Sequence, residues 1–372
     1  MNNEIIVPYV DLAMQWKEIR IAALQSIDET LLTGQYLDHD SVKTLENEIS
    51  NFLNLNYSVT LNSGTDALVF ALKALGIGHD DEVITVPNTY IATVAAIYHV
   101  GARPVFVDVG PDHLMDPAGL EALITKKTKA IIPVHLEGKV CEMDKIMSIA
   151  QNYNLKVIED TAQAIGSKFD SKNAGTFGDI GCFSMHPLKN FNAIGDAGFI
   201  VTKNNELATK IRMLANHGQL TRNNSDMFGY VSRLDSLQAA VLLIKMQQLD
   251  RVISQRVLNA QVYDSLLDSN LCVKPISSNR IFHTYHLYVV EIPNRDLVQE
   301  KLRENGIETK IHYPKLITDQ VAYQNHFRNE SNIDNAVSQS KRILSLPVHQ
   351  NLTYTQLEYV AKTLNEIMEN VI

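Results

Sequence analysis

The sequence predicts an α/β protein in which a large domain with a mostly parallel sheet is followed by a smaller C-terminal α+β domain. Three observations carry this. Between residues 57 and 160, short β-branched runs alternate with helix-period segments, the rhythm of βαβ units. Runs such as "KAIIPVHL" and "KVIED" are apolar on both faces, as strands covered by helices on either side must be. At 372 residues the chain is also longer than one compact core usually serves, so two domains are expected.

The chain before residue 57, with the helical "VKTLENEISNFL", reads as an arm and a helix near the domain junction. Then "SVTL" leads into the helix "DALVFALKALGI", "EVITV" into "IATVAAIYHV", "PVFVDV" into "PAGLEALI", and "KAIIPVHL" into "EMDKIMSIAQNY", before the strand "LKVIED". After Asp160 the rhythm changes. The strands "IGCFSM" and "GFIVT" flank a loop, and the helix "NNELATKIRMLANHG" stops at a His-Gly pair. One long apolar-periodic segment, "RLDSLQAAVLLIKMQQLDRVISQRVLNAQVYDSLL", bridges toward the second domain, so the boundary is placed near residue 250. That gives 1–250 as arm and large domain and 251–372 as the small domain, with "HTYHLYVVEI", "DLVQEKLRENGI" and a closing helix.

Composition removes several function classes. A net charge of -9 and the lack of any Lys/Arg-rich run argue against a nucleic-acid partner, which needs cations to replace phosphate counterions. Cys141, Cys182 and Cys272 are odd in number, far apart and form no CxxC, so neither a disulfide framework nor a metal site is expected. A reducing cytoplasm fits best. No apolar run approaches the ~18 residues of a membrane span, and the first residues lack the charge-then-apolar pattern of a signal peptide, so no membrane association is expected.

Open α/β sheets bind ligands at the carboxyl ends of their strands, and several ends here carry chemistry. "SVTL" is followed by Ser63, Gly64 and Thr65 at the start of a helix, an anion site in outline or a plain N-cap. Asp160 ends a strand expected to be central, where a carboxylate needs a cation opposite it unless it merely caps a turn; Gln163 would share its side. Lys189 follows "CFSMHPLK", with Ser184 five residues earlier. A lysine is ordinarily a solvated surface group. Here Pro187 breaks the strand and Gly195 and Gly198 let the backbone turn, so the amine can be aimed inward, where desolvation lowers its pKa and makes it a nucleophile toward carbonyls. An anion cradle, a buried aspartate and an inward lysine are together what pyridoxal 5'-phosphate demands: sites for its phosphate, its ring nitrogen and its aldehyde.

"NSGTDAL", "PNTYIATVAAI", "VIEDTAQAIGS", "CFSMHPLKN", "GYVSRLDSLQAAVL" and "KIHYPK" follow one another as in the DegT/DnrJ/EryC1/StrS family of sugar aminotransferases, which the chain resembles from about residue 5 to residue 370. The resemblance implies a fold type I pyridoxal-phosphate enzyme, cytoplasmic and homodimeric, with active sites at the subunit interface. It implies glutamate, or alternatively glutamine, as amino donor and a nucleotide-linked keto sugar as acceptor, in polysaccharide (including lipopolysaccharide) or secondary-metabolite biosynthesis. By position, Lys189 corresponds to the lysine that joins the cofactor and moves the proton, Asp160 to the partner of the ring nitrogen, and Gln163 to the contact on the ring-hydroxyl side. Tyr90 corresponds to the stacking aromatic, and Gly64, Thr65 and Ser184 to the phosphate cradle. Arg233, His312 and Tyr313 fall where the family places groups near the sugar, although Arg233 could equally be an ion-pair partner and "HYP" the end of a strand.

Three departures bear on substrate identity. Val231 stands where many members have an asparagine that reaches the partner's phosphate. "GDAG" replaces "GEGG", a variant associated with amination at carbon 3, which favours a 3-keto over a 4-keto sugar. "GQYLDH", Gly34 to His39, replaces "GxYILG". The family's dehydratase branch has histidine in place of the lysine, so Lys189 speaks against it; His186 does not match that position and is expected to pack. A non-catalytic relative that binds pyridoxal phosphate or sugar as a regulator is the alternative that Val231 keeps open. A nucleotide-binding dehydrogenase is disfavoured because no GxGxxG follows a strand.

Overall fold

The computed structural model describes residues 7–37, 40–276, 278–328 and 331–371. Residues 1–6 of the expected arm, and Asp38 and His39 of the Gly34 to His39 segment, lie outside them. Helix α1 (Leu12–Leu32) occupies most of that arm and is followed by α2 (Asp40–Leu53). Asp11 caps α1 by accepting from the Met14 amide at 2.8 Å. The helix escaped the sequence reading because its apolar residues trace no single buried stripe: Ile19 and Ala23 are buried, whereas Ile21 is 86% exposed.

The alternating region runs β1 (Tyr57–Leu61), α3 (Gly64–Ala74), β2 (Glu82–Thr85), α4 (Ile91–His99), β3 (Arg103–Phe106), β4 (Thr128–Ile131), α5 (Met143–Asn152) and β5 (Lys156–Asp160). The expected helix "PAGLEALI" is absent. Two single 3-10 turns, Pro117–Gly119 and Glu121–Leu123, replace it. A glycine inside so short a segment weakens an α-helix, and Gly119 lies so near Val107 that a Cβ would stand 2.9 Å from its Cγ2. Next come the two-residue strands β6 (Lys168–Phe169) and β7 (Lys172–Asn173), then β8 (Ile180–Ser184), β9 (Gly198–Thr202), α6 (Asn205–Ala215) and the hairpin of β10 (Gln219–Thr221) and β11 (Asn224–Ser225).

Seven of these strands form one sheet in the order β1-β9-β8-β5-β4-β2-β3, so β5 is its central strand. Only β9 runs against the others. Because β9 returns antiparallel to β8, the intervening loop begins and ends at the carboxyl edge of the sheet, beside the ends of β1 and β5. Val157 and Ile158, adjacent in β5, enter cores on opposite faces, which explains the two-faced apolar runs. A further core joins the stacked rings of Phe183 and Phe199, 4.4 Å apart, to α2.

The long periodic segment is two helices, α7 (Ser236–Met246) and α8 (Leu249–Leu266), broken at Gln247 and Gln248. Residue 250 therefore lies in the first turn of α8 rather than in a linker. The rest contains β12 (Ile281–Phe282), β13 (Tyr288–Glu291), α9 (Arg295–Glu304), α10 (Val321–Gln324), α11 (Asp334–Ser340), β14 (Ile343–Leu346) and α12 (Tyr354–Val371). Strands β13 and β14 pair antiparallel, and α8, α9 and α12 pack around them on Tyr263 and Tyr288. Val7 joins that same core.

Candidate active site

The carboxyl edge of the sheet opens into a cavity of about 380 Å³ lined by Ser63, Gly64, Thr65, Tyr90, Asp160, Gln163, Ser184, Lys189, His312 and Tyr313. Thus the structure brings together all the anticipated site residues except Arg233. The Arg233 guanidinium donates to Asn216 Oδ1 at 3.2 Å, away from the cavity of its own chain.

One wall is the start of α3. Ser63 is its N-cap, with Oγ accepting from the Asp66 amide at 3.1 Å. The capping reading and the anion-site reading therefore coexist: the hydroxyl uses one amide, while the helix end still faces the cavity. Gly64 and Ser184 touch so closely that a Cβ on Gly64 would lie 2.7 Å from that of Ser184. Gly198 is needed for the same reason, since a Cβ there would stand 2.3 Å from the Ser63 carbonyl carbon. Neither Gly195 nor Gly198 has a left-handed φ, so close approach, not a sharp turn, is what requires the glycine at 198.

At the floor, the buried Asp160 carboxylate accepts from Thr93 Oγ1 at 2.8 Å and from the Ala162 amide at 3.2 Å. Burial raises its pKa above the usual carboxylate range, against the pull of Thr93, Ala162 and Lys189. The Thr93 hydroxyl also shares a hydrogen bond with Thr89 at 2.9 Å, so two threonines one helical turn apart steady the carboxylate. The sequence reading missed both; their spacing at the start of α4 was the available signal.

Lys189 is half-buried, and desolvation, only partly opposed by Asp160, lowers its pKa to about 8. Gln163 is fixed at both ends: Oε1 accepts from the Glu137 amide at 2.8 Å and Nε2 donates to Tyr313 Oη at 3.0 Å. His312 Nδ1 is hydrogen-bonded to Ser345 Oγ at 2.9 Å, and burial and Lys189 lower its pKa to about 4. Tyr90, 59% exposed, stands at the mouth with its ring 6.0 Å from that of Tyr313. Two histidines were not anticipated here. His186 is exposed and lines the cavity rather than packing, because the chain has already left β8 when it reaches Pro187. His286, hidden in a run read only as a strand, also lines it, with burial and then Lys189 pulling its pKa well below the ordinary value.

Residues 17–365 match the DegT/DnrJ/EryC1/StrS aminotransferase family. The chain belongs to that family. Among sequence relatives of this aminotransferase, a "pleiotropic regulatory protein" of Geobacillus stearothermophilus is 38% identical over 97% of this chain and 98% of its own. A UDP-N-acetyl-3-dehydro-alpha-D-glucosamine 3-aminotransferase of Acidithiobacillus ferrooxidans is 37% identical over 99% of this chain and all (100%) of its own. Among solved structures, DesV of Streptomyces venezuelae, in complex with a ketimine intermediate, superposes with a TM-score of 0.95 at 35% identity, covering 98% of each chain. NtdA of Bacillus subtilis, with bound cofactor PMP, has a TM-score of 0.92 at 32% identity, covering 99% of this chain and 86% of its own. The fold is that of fold type I sugar aminotransferases.

Proposed function

We propose that this aminotransferase uses pyridoxal 5'-phosphate to move an amino group from glutamate to a nucleotide-linked keto sugar, with a 3-keto sugar favoured over a 4-keto one. One observation carries the reading: a half-buried lysine with a pKa near 8 shares a closed-bottomed cavity with a buried aspartate, beside a helix N-terminus that only glycine can bring against Ser184. The donor set fits the cofactor. Gly64, Thr65 and Ser184 would hold its phosphate, Asp160 its ring nitrogen, Gln163 its ring-hydroxyl side, and Tyr90 would lie over its ring. Bound there, pyridoxal phosphate supplies an aldehyde for Lys189 and a protonated ring that withdraws electrons from the amino-acid carbon.

The protein's own contribution is positioning and proton handling. Thr93 and the Ala162 amide hold Asp160 with its carboxylate toward the cavity, so its charge can keep a proton on the ring nitrogen. Lys189 Nζ, poised near neutral pH, can take a proton from carbon and return it, the requirement for a general base that must also act as an acid. Tyr313 and Glu137 together prevent the Gln163 amide from rotating.

Among the described residues lining the cavity Lys189 is the one Lys or Arg, too few cations for the diphosphate of a nucleotide sugar. That supports a homodimer in which a second copy completes each site. Ile21 and Leu32 of α1, 86% and 79% exposed, and Phe228, fully exposed, are side chains such an interface would cover. The name of the Acidithiobacillus relative and the "GDAG" segment support the 3-keto preference, and polysaccharide (lipopolysaccharide included) or secondary-metabolite biosynthesis is the context such a product serves. Among the described residues no helix is long and apolar enough to cross a membrane, and a cytoplasmic location is part of the proposal.

The test combines chemistry and mass. Borohydride treatment of the cofactor-loaded chain should add the cofactor's mass to the peptide containing Lys189. Incubation with glutamate and a panel of nucleotide-linked sugars differing in ketone position should release 2-oxoglutarate with the 3-keto member. The Geobacillus relative's name supports a second reading, a regulator without turnover. A labelled peptide with no amino transfer to any member would favour it, and an unlabelled peptide would end the transaminase reading.

A further inference from the structure

Beneath the cavity, and not among the residues the reaction was expected to use, lies a buried ionic cluster centred on Glu137. Its backbone is left-handed, with φ 65°, an unfavourable conformation for a residue with a Cβ. Its carboxylate is 1% exposed and clamped from two sides. His113 Nδ1 lies 2.8 Å from Oε1, and Lys139 Nζ lies 2.8 Å from Oε2. His113 Nε2 in turn lies 3.0 Å from Glu291 Oε1 on β13, and Arg342 beside β14 pairs with the same carboxylate at 2.6 Å. A histidine between two carboxylates satisfies both only as the doubly protonated cation. Although burial works against it, Glu137 and Glu291 raise the His113 pKa.

The backbone of this clamped turn is where the cluster meets the active site. The Glu137 amide donates to Gln163 Oε1, and Gln163 passes the restraint to Tyr313. The Glu137 carbonyl accepts from His283 Nε2 at 3.0 Å and from the Leu287 amide at 3.1 Å, and the Gly138 carbonyl accepts from the Thr284 amide and Ser167 Oγ. Gly138 itself has φ 98° and room for no side chain: a Cβ would meet the His286 amide at 2.9 Å. The turn is thus tied to the C-terminal segment on one side and to Gln163 on the other, with the carboxylate of Glu137 as its fixed point.

We propose that Glu137 is a positioning residue. Its carboxylate, gripped by His113 and Lys139, holds the left-handed turn whose amide orients Gln163 toward the bound cofactor. This rests on the pyridoxal-phosphate reading above and adds to it a residue outside the cavity that governs how firmly the ring-hydroxyl side is held. A side chain of equal size without the charge leaves two buried cations facing a neutral amide, so the turn relaxes and Gln163 loses its fixed acceptor contact.

The experiment uses the full chain and two readouts other than turnover: the affinity for pyridoxal phosphate, and the pH midpoint of the bound cofactor's visible absorption band. Glu137→Gln should weaken the affinity about tenfold, the size of one mispositioned hydrogen bond, and shift the midpoint. Gln163→Ala should do the same, and the double variant should be no worse than Gln163→Ala alone. A Glu137→Gln variant with lowered thermal stability but unchanged affinity and midpoint, or effects that add in the double variant, would overturn the proposal. If Glu137→Gln does not fold, Glu137→Asp, which draws the charge back from both cations, is read the same way. Failure of the wild-type chain to take up the cofactor would instead remove the functional reading, and this inference with it.

Discussion

Gly64 at the start of α3 and Ser184 at the end of β8 are packed backbone to side chain, and position 64 has no space for even a methyl group against the Ser184 Cβ, 2.7 Å away. This contact joins the two segments assigned to the phosphate. Gly64→Ala is therefore expected to separate them, with an overpacking penalty of about 1–3 kcal/mol. Thermal melts of the cofactor-free chain, alongside pyridoxal-phosphate titration, should show a lower melting temperature and weaker binding together. Unchanged binding would mean that the two segments do not form one cradle.

Asp160 presents a trade between stability and function. Its folded pKa is raised, so the native state binds more protons than the unfolded state between the unfolded value and the folded one, and stability falls as pH rises through that window. Above it the burial penalty is fully present. Asp160→Asn should then raise the melting temperature of the cofactor-free chain at pH 7 while lowering turnover roughly 10²–10⁴-fold. Measuring both on one preparation checks it, since a variant that melts higher and still turns over normally would exclude Asp160 from the chemistry.

For Lys189 the sign is opposite. Its folded pKa of about 8 is below that of a free lysine, so the unfolded chain binds more protons between pH 8 and about 10.4 and stability rises with pH across that range. The penalty is complete below pH 8. Replacing it by methionine should stabilise the cofactor-free chain at pH 7 and lose that advantage as pH approaches about 10.4. Paired melts of the two chains from pH 7 to 10.5 isolate this lysine from Lys245, whose pKa is also lowered to about 8 by burial. Lys189→Ala should abolish amino transfer altogether.

The proposed dimer predicts an effect for a residue that its own chain leaves idle. Val231 is 56% exposed, and its backbone bridges to Asn216. If it faces the partner's phosphate, Val231→Asn should tighten pyridoxal-phosphate binding by about tenfold, the gain of one hydrogen bond to a charged group. Phe228→Asp should shift sedimentation from dimer to monomer and weaken that binding. A Val231→Asn variant with unaltered affinity would place this segment away from the cofactor.

The chain's own residues determined the strands of the large sheet, because β-branched runs apolar on both faces have few other uses. They also pointed to the proposed cofactor, because a lysine, an aspartate and a glycine-bearing helix start each follow a strand. Local pattern failed where the outcome depended on neighbours distant in sequence. "PAGLEALI" has helical periodicity, but the close approach of Gly119 to Val107 leaves it as two short turns. His286, Thr89 and Thr93 reach the cavity only because packing delivers there the segment before β13 and the start of α4. Glu137 looked like one more acidic residue in "HLEGK". Its importance lies in contacts with His113, Gln163 and Leu287, which only folding brings to it, and hydrogen bonds between residues so far apart in sequence leave no periodic trace in it.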